Sequence, residues 1–417
     1  MTNTNTNMFL HKIPILPTEN IFDDSTVTHS GVPPPPLFSL GYHSFLDRTQ
    51  SAMNITQQLK SQDEFYYIVN PFEYIIKNYP DDVKSSPFIP QTSEPVIISR
   101  DFYIIWEILS TFNMVDKQKI NIVGLMEDSC NFIQPFIRYR EKFHKLNQDK
   151  IYSVQSDSEY NDLNKIVSTY YNEKYPKLIN TISQEKLVTQ IEKDKTYAQL
   201  VIGGNSPPKK ILVNNMKEQE SYYIIFNEIL TGIKTLDKNG NFILKMFDTF
   251  TTTSIKMIYL LTHFFEEVLI YKPFFSRNTN SDKYIICRGF KYEQGNSELV
   301  KKIKFLEMTF KSIKTDKYVI DIFPKFNITD QYMNVIKYTN TLLINTRQIL
   351  INQLVVYIKS NNYFGDDYHM YRMKQIAANK WWLETYFIEE RKDFSKNIKD
   401  LIHYNESELN LFIKKFI

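Results

Sequence analysis

Cysteine is nearly absent from this chain: Cys130 and Cys287 are the only two in 417 residues. They fall in different expected elements, which excludes a disulfide framework and implies a reducing compartment. Glycine is scarce too, ten in all, and neither a phosphate-cradling Walker loop nor a Gly-x-Ser-x-Gly elbow occurs. Gly203-Gly204 alone is no dinucleotide fingerprint. Seven scattered histidines and two cysteines give no metal-ligand spacing, so no metal is expected. Long apolar runs are missing as well. The longest, 255–271, is interrupted by Lys256, His263, Glu266 and Glu267, too many polar groups for a membrane span. The N-terminus is Thr/Asn repeats, not a basic-then-apolar leader. A soluble, intracellular protein is expected, working in the cytoplasm.

Charge is plentiful but balanced. Fifty Lys and Arg oppose 47 Asp and Glu, for a net charge of +3. That surplus is too small to indicate nucleic acid, so any RNA contact has to come from a local patch. Aromatic residues reach 15%, and the abundance of Asn, Ile, Lys and Tyr is the bias that AT-rich codons produce. A chain this long buries one large core with appendages, or two modest domains.

Residues 1–40 read as a disordered Pro-rich tail, ending in the polyproline II spacer Pro33 to Pro36. Residues 41–98 read as a helical or irregular segment. From residue 99 onward, helix and strand patterns alternate. Ser99-Arg100-Asp101 opens a helix with Phe102, Ile105, Trp106 and Leu109 on one face. A strand at 119–125 leads into a helix through Phe132, Phe136 and Tyr139. Further strands are expected at 150–155 and 196–202, the latter ending at Gly203-Gly204. The spacing of Tyr222, Ile225, Phe226, Ile229 and Ile233 predicts an amphipathic helix over 218–236. Asn239-Gly240 stops it, and a strand over 241–247 follows. A helix at 252–264 and strands at 267–271 and 283–289 complete the series. Strands separated by helices imply right-handed crossovers and a mainly parallel sheet, with the last strand antiparallel. Ligands in such sheets bind at the carboxyl ends of the strands, where Lys245 and the loop after Ile202 should lie. Residues 295–417 read as a helical extension, with Tyr332, Val335, Ile336, Leu342, Leu343, Ile349, Leu350, Leu354 and Val355 as buried positions.

The most informative run is 240–291. Gly240-Asn241-Phe242-Ile243-Leu244-Lys245 is an apolar strand ending in lysine. Beyond an apolar helix come Lys272-Pro273, then Ser276-Arg277, then Asn280-Ser281-Asp282-Lys283-Tyr284. This run resembles the end of the FtsJ-like ribose 2'-O-methyltransferases, in the version found in mRNA cap methyltransferases and in large cytoplasmic DNA viruses. The resemblance covers about residues 100–291. It implies a Rossmann-like methyltransferase domain over 99–294 that uses S-adenosylmethionine on capped mRNA, in the host cytoplasm, a viral factory or a virion.

In that family a Lys-Asp-Lys-Glu set surrounds the ribose 2'-hydroxyl, and a lysine helps only when its neighbours tune its pKa or orient it. By the resemblance, Lys245 is the third member and Asp282 stands at the glutamate position, one methylene shorter. Lys272 and Arg277 match the Lys-Pro…Ser-Arg residues, suited to RNA phosphate. The other motifs depart. The family's Pro-Gly-Gly-Phe cofactor loop corresponds to Ser129-Cys130-Asn131-Phe132, where both glycines are replaced. The Asp-Gly-Gly loop corresponds to Gly203-Gly204, with no aspartate before the glycines. The first lysine aligns with Gln50, or alternatively with Lys60. Two of the four members remain, so the resemblance implies an impaired methyltransferase, with Asp248 as a candidate for partial compensation. The alternative is a non-catalytic RNA-binding or scaffold subunit of a viral mRNA capping or polyadenylation assembly, with a partner subunit.

Other signals have plain readings. Asp237 to Asn241 starts like a calcium loop but has Phe242 at the turn-glycine position. Trp381-Trp382 reads as packing rather than base stacking, and Lys301, Lys302, Lys304, Lys311, Lys314 and Lys317 as a solvated helix face.

Overall fold

The computed structural model describes residues 8–15, 21–34, 36, 48–49, 51–59, 65–73, 97, 99–125, 130–143, 149–154, 162–175, 177–181, 183–204, 217–388 and 390–416. The strands are β1 (Phe9–Lys12), β2 (Val27–Ser30), β3 (Asn121–Gly124), β4 (Lys150–Val154), β5 (Leu178–Thr181), β6 (Ala198–Gly203), β7 (Leu236–Met246), β8 (Phe265–Lys272), β9 (Lys283–Phe290) and β10 (Tyr318–Ile322). The helices are α1 (Asp101–Phe112), α2 (Cys130–Phe143), α3 (Asp162–Lys174), α4 (Gln184–Asp194), α5 (Lys217–Glu220), α6 (Tyr222–Thr235), α7 (Thr252–Thr262), α8 (Ser297–Ser312), α9 (Asp330–Ser360), α10 (Asp366–Tyr386) and α11 (Ser395–Phe416).

Eight strands form one sheet in the order β1-β8-β9-β7-β6-β3-β4-β5. The pairs β7–β6, β6–β3, β3–β4 and β4–β5 are parallel. Strand β9 runs antiparallel to both β7 and β8. The sheet is therefore mainly parallel with an antiparallel late strand, the Rossmann-like methyltransferase layout expected. Its central strands are apolar on both faces: Leu200, Val201, Ile202, Phe242, Ile243 and Leu244 are all fully buried. That is the pattern of a parallel sheet covered by helices on both sides. The chain runs outward through β3, β4 and β5 and returns to β6 on the other side of β3. The order of the strands thus reverses between β3 and β6, where a crevice opens at the carboxyl ends.

Several elements differ from expectation. Residues 9–12, in the stretch read as a tail, form an edge strand antiparallel to β8, with Phe9 opposite Lys272. Residues 27–30 pair with β10 in a separate two-stranded sheet. Asn239-Gly240 does not stop the preceding helix, which ends at Thr235. The pair lies inside β7 as a bulge: Asn239 has φ of 62°, and the pairing with β6 slips between Ala198 and Leu200. Gly240 is required there, because a Cβ would lie 2.8 Å from the Asp237 carbonyl and 2.9 Å from that of Ala198. Strand β5 and helices α3 and α4 carry too weak an apolar pattern to stand out in the sequence.

The C-terminal extension is helical apart from β10, and it is part of the same body. Helix α9 lies along the loop that follows β7: the Asn340 amide donates to the Thr249 carbonyl (2.8 Å) and Thr249 Oγ1 donates back to Asn340 (2.8 Å). Tyr332 donates to the Ile255 carbonyl at 2.7 Å. Tyr332, Val335, Ile336 and Leu354 are buried as expected, whereas Ile349 is exposed. Trp382 on α10 is fully buried and donates to Glu107, and Trp381 packs edge-on against Phe274. The tandem tryptophans therefore join α10 to α1 and the segment after β8. Of the lysines on and after α8, Lys302 bonds to Glu298 and Tyr292 and the others are exposed.

One buried ion pair anchors the β3–β4 half. Arg140 and Asp149, with side chains fully buried, meet at 2.7 Å. Arg140 also donates to the carbonyls of Val115, Lys117 and Gln118, and Asp149 accepts from the Ile120 amide. Replacing Asp149 with alanine would strand a guanidinium among carbonyls. Asp149→Ala is expected to lower unfolding free energy by about 3–5 kcal/mol in denaturant titrations; a loss below about 1 kcal/mol would contradict the role given to the pair.

Candidate active site

Lys245 sits one residue before the end of β7. Parallel pairing sets Gly203 of β6 against Leu244, and antiparallel pairing sets Tyr284 of β9 against Lys245. The strand end thus delivers the lysine to the carboxyl edge of the sheet, between the ends of its neighbours β6 and β9. Its ammonium lies 3.4 Å from a carboxylate oxygen of Asp282. The two surviving members of the expected set are therefore brought together.

Asp282 is the last residue of the hairpin joining β8 to β9. Lys272 donates to the carbonyls of Asn280, at 3.0 Å, and of Asp282 itself. Ser276 donates to the same Asp282 carbonyl at 3.3 Å. The hairpin backbone is thereby tied down, which offsets the shorter reach of aspartate at this position. Burial alone would raise the Asp282 carboxyl, but the Lys245 and Lys272 ammonium groups outweigh it and hold it at about 2. Burial would likewise lower Lys245. Asp282, then Asp101 and Tyr284, outweigh that and lift its pKa well above the ordinary lysine range. Lys245 is accordingly protonated at neutral pH. It can donate a hydrogen bond and stabilise negative charge, but it cannot accept a proton.

The end of β6 supplies no acid. Ile202 is fully buried in the apolar core beside Leu200 and Ile243. The residue that faces the lysine is Gly204: a Cβ there would lie 3.0 Å from Lys245 Cβ and 3.4 Å from the Phe132 ring. Gly203 is held from the other side, since a Cβ would meet Glu228 Oε2 at 2.9 Å. Glu228, fully buried on α6, accepts the Gly204 amide at 3.1 Å. The acid nearest to standing in comes instead from the first turn of α1, where Asp101 accepts from the Tyr284 hydroxyl at 3.5 Å. Sequence reasoning had placed Asp101 only as the start of a helix. The signal available was its place in a polar first turn ahead of an apolar helix, which does not distinguish a capping acid from a site acid.

The crevice itself is narrow in side chains. A Cβ on Gly124, at the end of β3, would make ordinary contacts with the Tyr152 carbonyl at 3.9 Å and the Phe132 ring at 4.0 Å. Of the expected cofactor loop, Ser129 lies outside the described residues, Cys130 is the first residue of α2, and Asn131 follows it, half-buried. Gln50 and Lys60 also lie outside the described residues. Asp248, two residues past the end of β7, does not reach Lys245 within ion-pair distance; it pairs with Arg347 of α9 at 3.2 Å. Arg277 donates to Glu73 at 2.6 and 3.1 Å and lies over the Tyr67 ring, 3.6 Å from its centroid. Glu73 is shared with Arg100, so this charge cluster fastens the 65–73 segment to the hairpin. Among the described residues no cluster of metal ligands occurs, and no helix is long and apolar enough to cross a membrane.

Comparison with known proteins agrees with this layout. Residues 100–290 match the FtsJ-like methyltransferase family. The chain is 34% identical over 128 residues to cap-specific mRNA (nucleoside-2'-O-)-methyltransferase 1 of Trypanosoma cruzi, covering 31% of this chain and 35% of that protein. It is 42% identical over 88 residues to the protein of the same description from Dictyostelium discoideum, covering 21% of this chain and 11% of the relative. The chain thus spans about a third or less of these curated relatives. Among solved structures, a ribosomal RNA methyltransferase from Plasmodium falciparum superposes with a TM-score of 0.33 at 11% identity, over 46% of this chain and 97% of that one.

The pair makes a testable contribution to acid stability. Asp282 titrates near 2 when folded against 3.8 in a free side chain, so its stabilisation is complete above the higher value and is lost as pH falls toward the lower. Wild type is expected to lose roughly 2 kcal/mol more stability than Asp282→Asn between about pH 5 and about pH 2, read from denaturant midpoints. Parallel profiles for the two proteins would show that the pair is not formed.

Proposed function

We propose that this chain, whose residues 100–290 belong to the FtsJ-like methyltransferase family, is a slow ribose 2'-O-methyltransferase of capped mRNA. The observation that carries the reading is the Lys245–Asp282 pair at the carboxyl edge of the sheet, beside the crevice between β3 and β6. The cap-specific relatives support capped RNA as the substrate class.

The residues that would hold S-adenosylmethionine in this reading are Gly124 and Leu125 at the end of β3, Asn131 on α2, and Gly203-Gly204 at the end of β6. Gly124, where a Cβ would make only ordinary contacts at 3.9 Å and beyond, suits a ligand lying against the end of β3, whereas the glycine pair is closely packed by Glu228, Lys245 and Phe132. When bound, that cofactor supplies the methyl group. The 2'-oxygen gains the methyl carbon and gives up its proton. Protonated Lys245 orients that oxygen and stabilises the charge developing on it. It cannot take the proton, and the position from which a β6 side chain would do so is Gly204. Asp101, facing the lysine from α1, is the acid left in place, farther off than an ion-pair contact. The transfer step is slow for that reason. Cys287 is buried and unpaired, which suits the reducing cytoplasm proposed as its place of action.

The test is methyl transfer from labelled cofactor to capped RNA, scored as nuclease resistance at the modified nucleotide. Wild type is expected to turn over well below the roughly 10 per second typical of enzymes. Gly204→Asp is expected to raise the rate by about 100-fold, the usual contribution of one positioned acid–base group, and Lys245→Met to abolish it. Rapid turnover by wild type would overturn the impairment. RNA binding with no transfer by either protein would favour the non-catalytic subunit.

A further inference from the structure

At the start of β9, the hairpin, the loop after β7 and helix α9 enclose a recess lined by Asp248, Lys272, Lys283, Asn340 and Arg347. Its enclosed part measures about 20 Å³, room for one oxygen-sized group with the remainder of a ligand outside. Lys272, Lys283 and Arg347 are all buried, at 5%, 1% and 8% exposure. Among the described residues, Lys283 donates to the Phe247 carbonyl and Lys272 to the carbonyls of Asn280 and Asp282. An ammonium has three N–H donors, so donors remain on both. Neither lysine has a carboxylate within ion-pair distance among the described residues. Asp248 is paired with Arg347 and Asp282 with Lys245. Glu218, the other acid that bears on Lys283, is itself pushed up to about 7 by burial.

Burying ammonium groups without a counter-ion is unfavourable by several kcal/mol. Burial accordingly pulls Lys272 down to about 7 and Lys283 to about 8. The recess therefore has an opening and, among the described residues, two lysines without a carboxylate partner, whose protonated forms a bound anion would favour. We propose that it takes a phosphate group of the RNA, next to the ribose presented to Lys245. A phosphate oxygen entering it would lie among the side chains of Lys272, Lys283 and Arg347, which line it. Its position follows from the strand: Asp282, which holds Lys245, and Lys283, which faces the recess, are consecutive residues. In RNA each 2'-hydroxyl likewise has a phosphate beside it. The assignment to RNA rests on the function proposed above; the anion pocket does not.

Two titrations of the full-length chain test this, one with capped RNA by fluorescence anisotropy and one with inorganic phosphate and pyrophosphate by calorimetry. Lys283→Met and Arg347→Gln are expected to weaken RNA binding by about tenfold or more and to reduce the slope of log affinity against log salt by about 1 each. Arg347→Lys should recover part of the loss, and Asp248→Asn, which removes the acid beside Arg347, should tighten binding. Thermal melts of each variant separate lost binding from lost folding. RNA affinity indifferent to these substitutions in folded variants would overturn the proposal. Phosphate binding that the substitutions abolish, in a chain that binds no RNA, would leave an anion pocket and overturn its assignment to RNA.

Discussion

The antiparallel pairing of β7 with β9 is the constraint on which the site depends. It brings a lysine at the end of one strand and an aspartate at the start of the other to 3.4 Å, at an edge where the sheet opens to solvent. Both groups are largely withdrawn from water, so each sets the other's charge state: the aspartate is held ionised and the lysine protonated. The chemistry open to the site follows from that. A lysine fixed in its protonated form serves as a hydrogen-bond donor and a positive charge, and proton removal falls to another group.

The C-terminal extension belongs to this arrangement rather than to a separate module. Helix α9 exchanges hydrogen bonds with Thr249 and places Arg347 against Asp248, so the loop after Lys245 is braced from outside the methyltransferase fold. Helix α10 reaches Glu107 on α1 through Trp382 and the 68–70 backbone through Gln375. The same α1 presents Asp101 toward Lys245. A substitution in the extension can therefore alter the site without touching it.

Much of the sheet was legible in the sequence because its strands are buried on both faces and stand out as apolar runs between helices. Lys245 and Asp282 were legible because they occupy a matched run, and the structure joins them. What was not legible has physical reasons. Residues 9–12 form an edge strand paired, among the described residues, with β8 alone, and Phe9-Leu10-His11-Lys12 is too short and lacks the apolar-polar alternation that would mark it. Asn239-Gly240 reads equally well as a helix stop or a bulge, and only the pairing partner Ala198 decides. The sequence has no aspartate before Gly203-Gly204, but that Gly204 is the residue packed against Lys245 is visible only in the structure. The resemblance makes Lys272 and Arg277 suited to RNA phosphate, but it does not reveal that the hairpin buries Lys272 against backbone carbonyls or that Glu73 engages Arg277. Arg347 and Asp101 come from helices far from the motif in sequence, and no local pattern marks them.

The central claim is that the carboxyl edge of this sheet binds a methyl donor, beside Gly124 and the Lys245–Asp282 pair. Calorimetric titration of the folded full-length chain with S-adenosylmethionine tests it most directly. The account predicts saturable one-site binding with a Kd of roughly micromolar order, corresponding to about 8 kcal/mol. No detectable heat at millimolar ligand, in a sample with an intact cooperative melt, would contradict it.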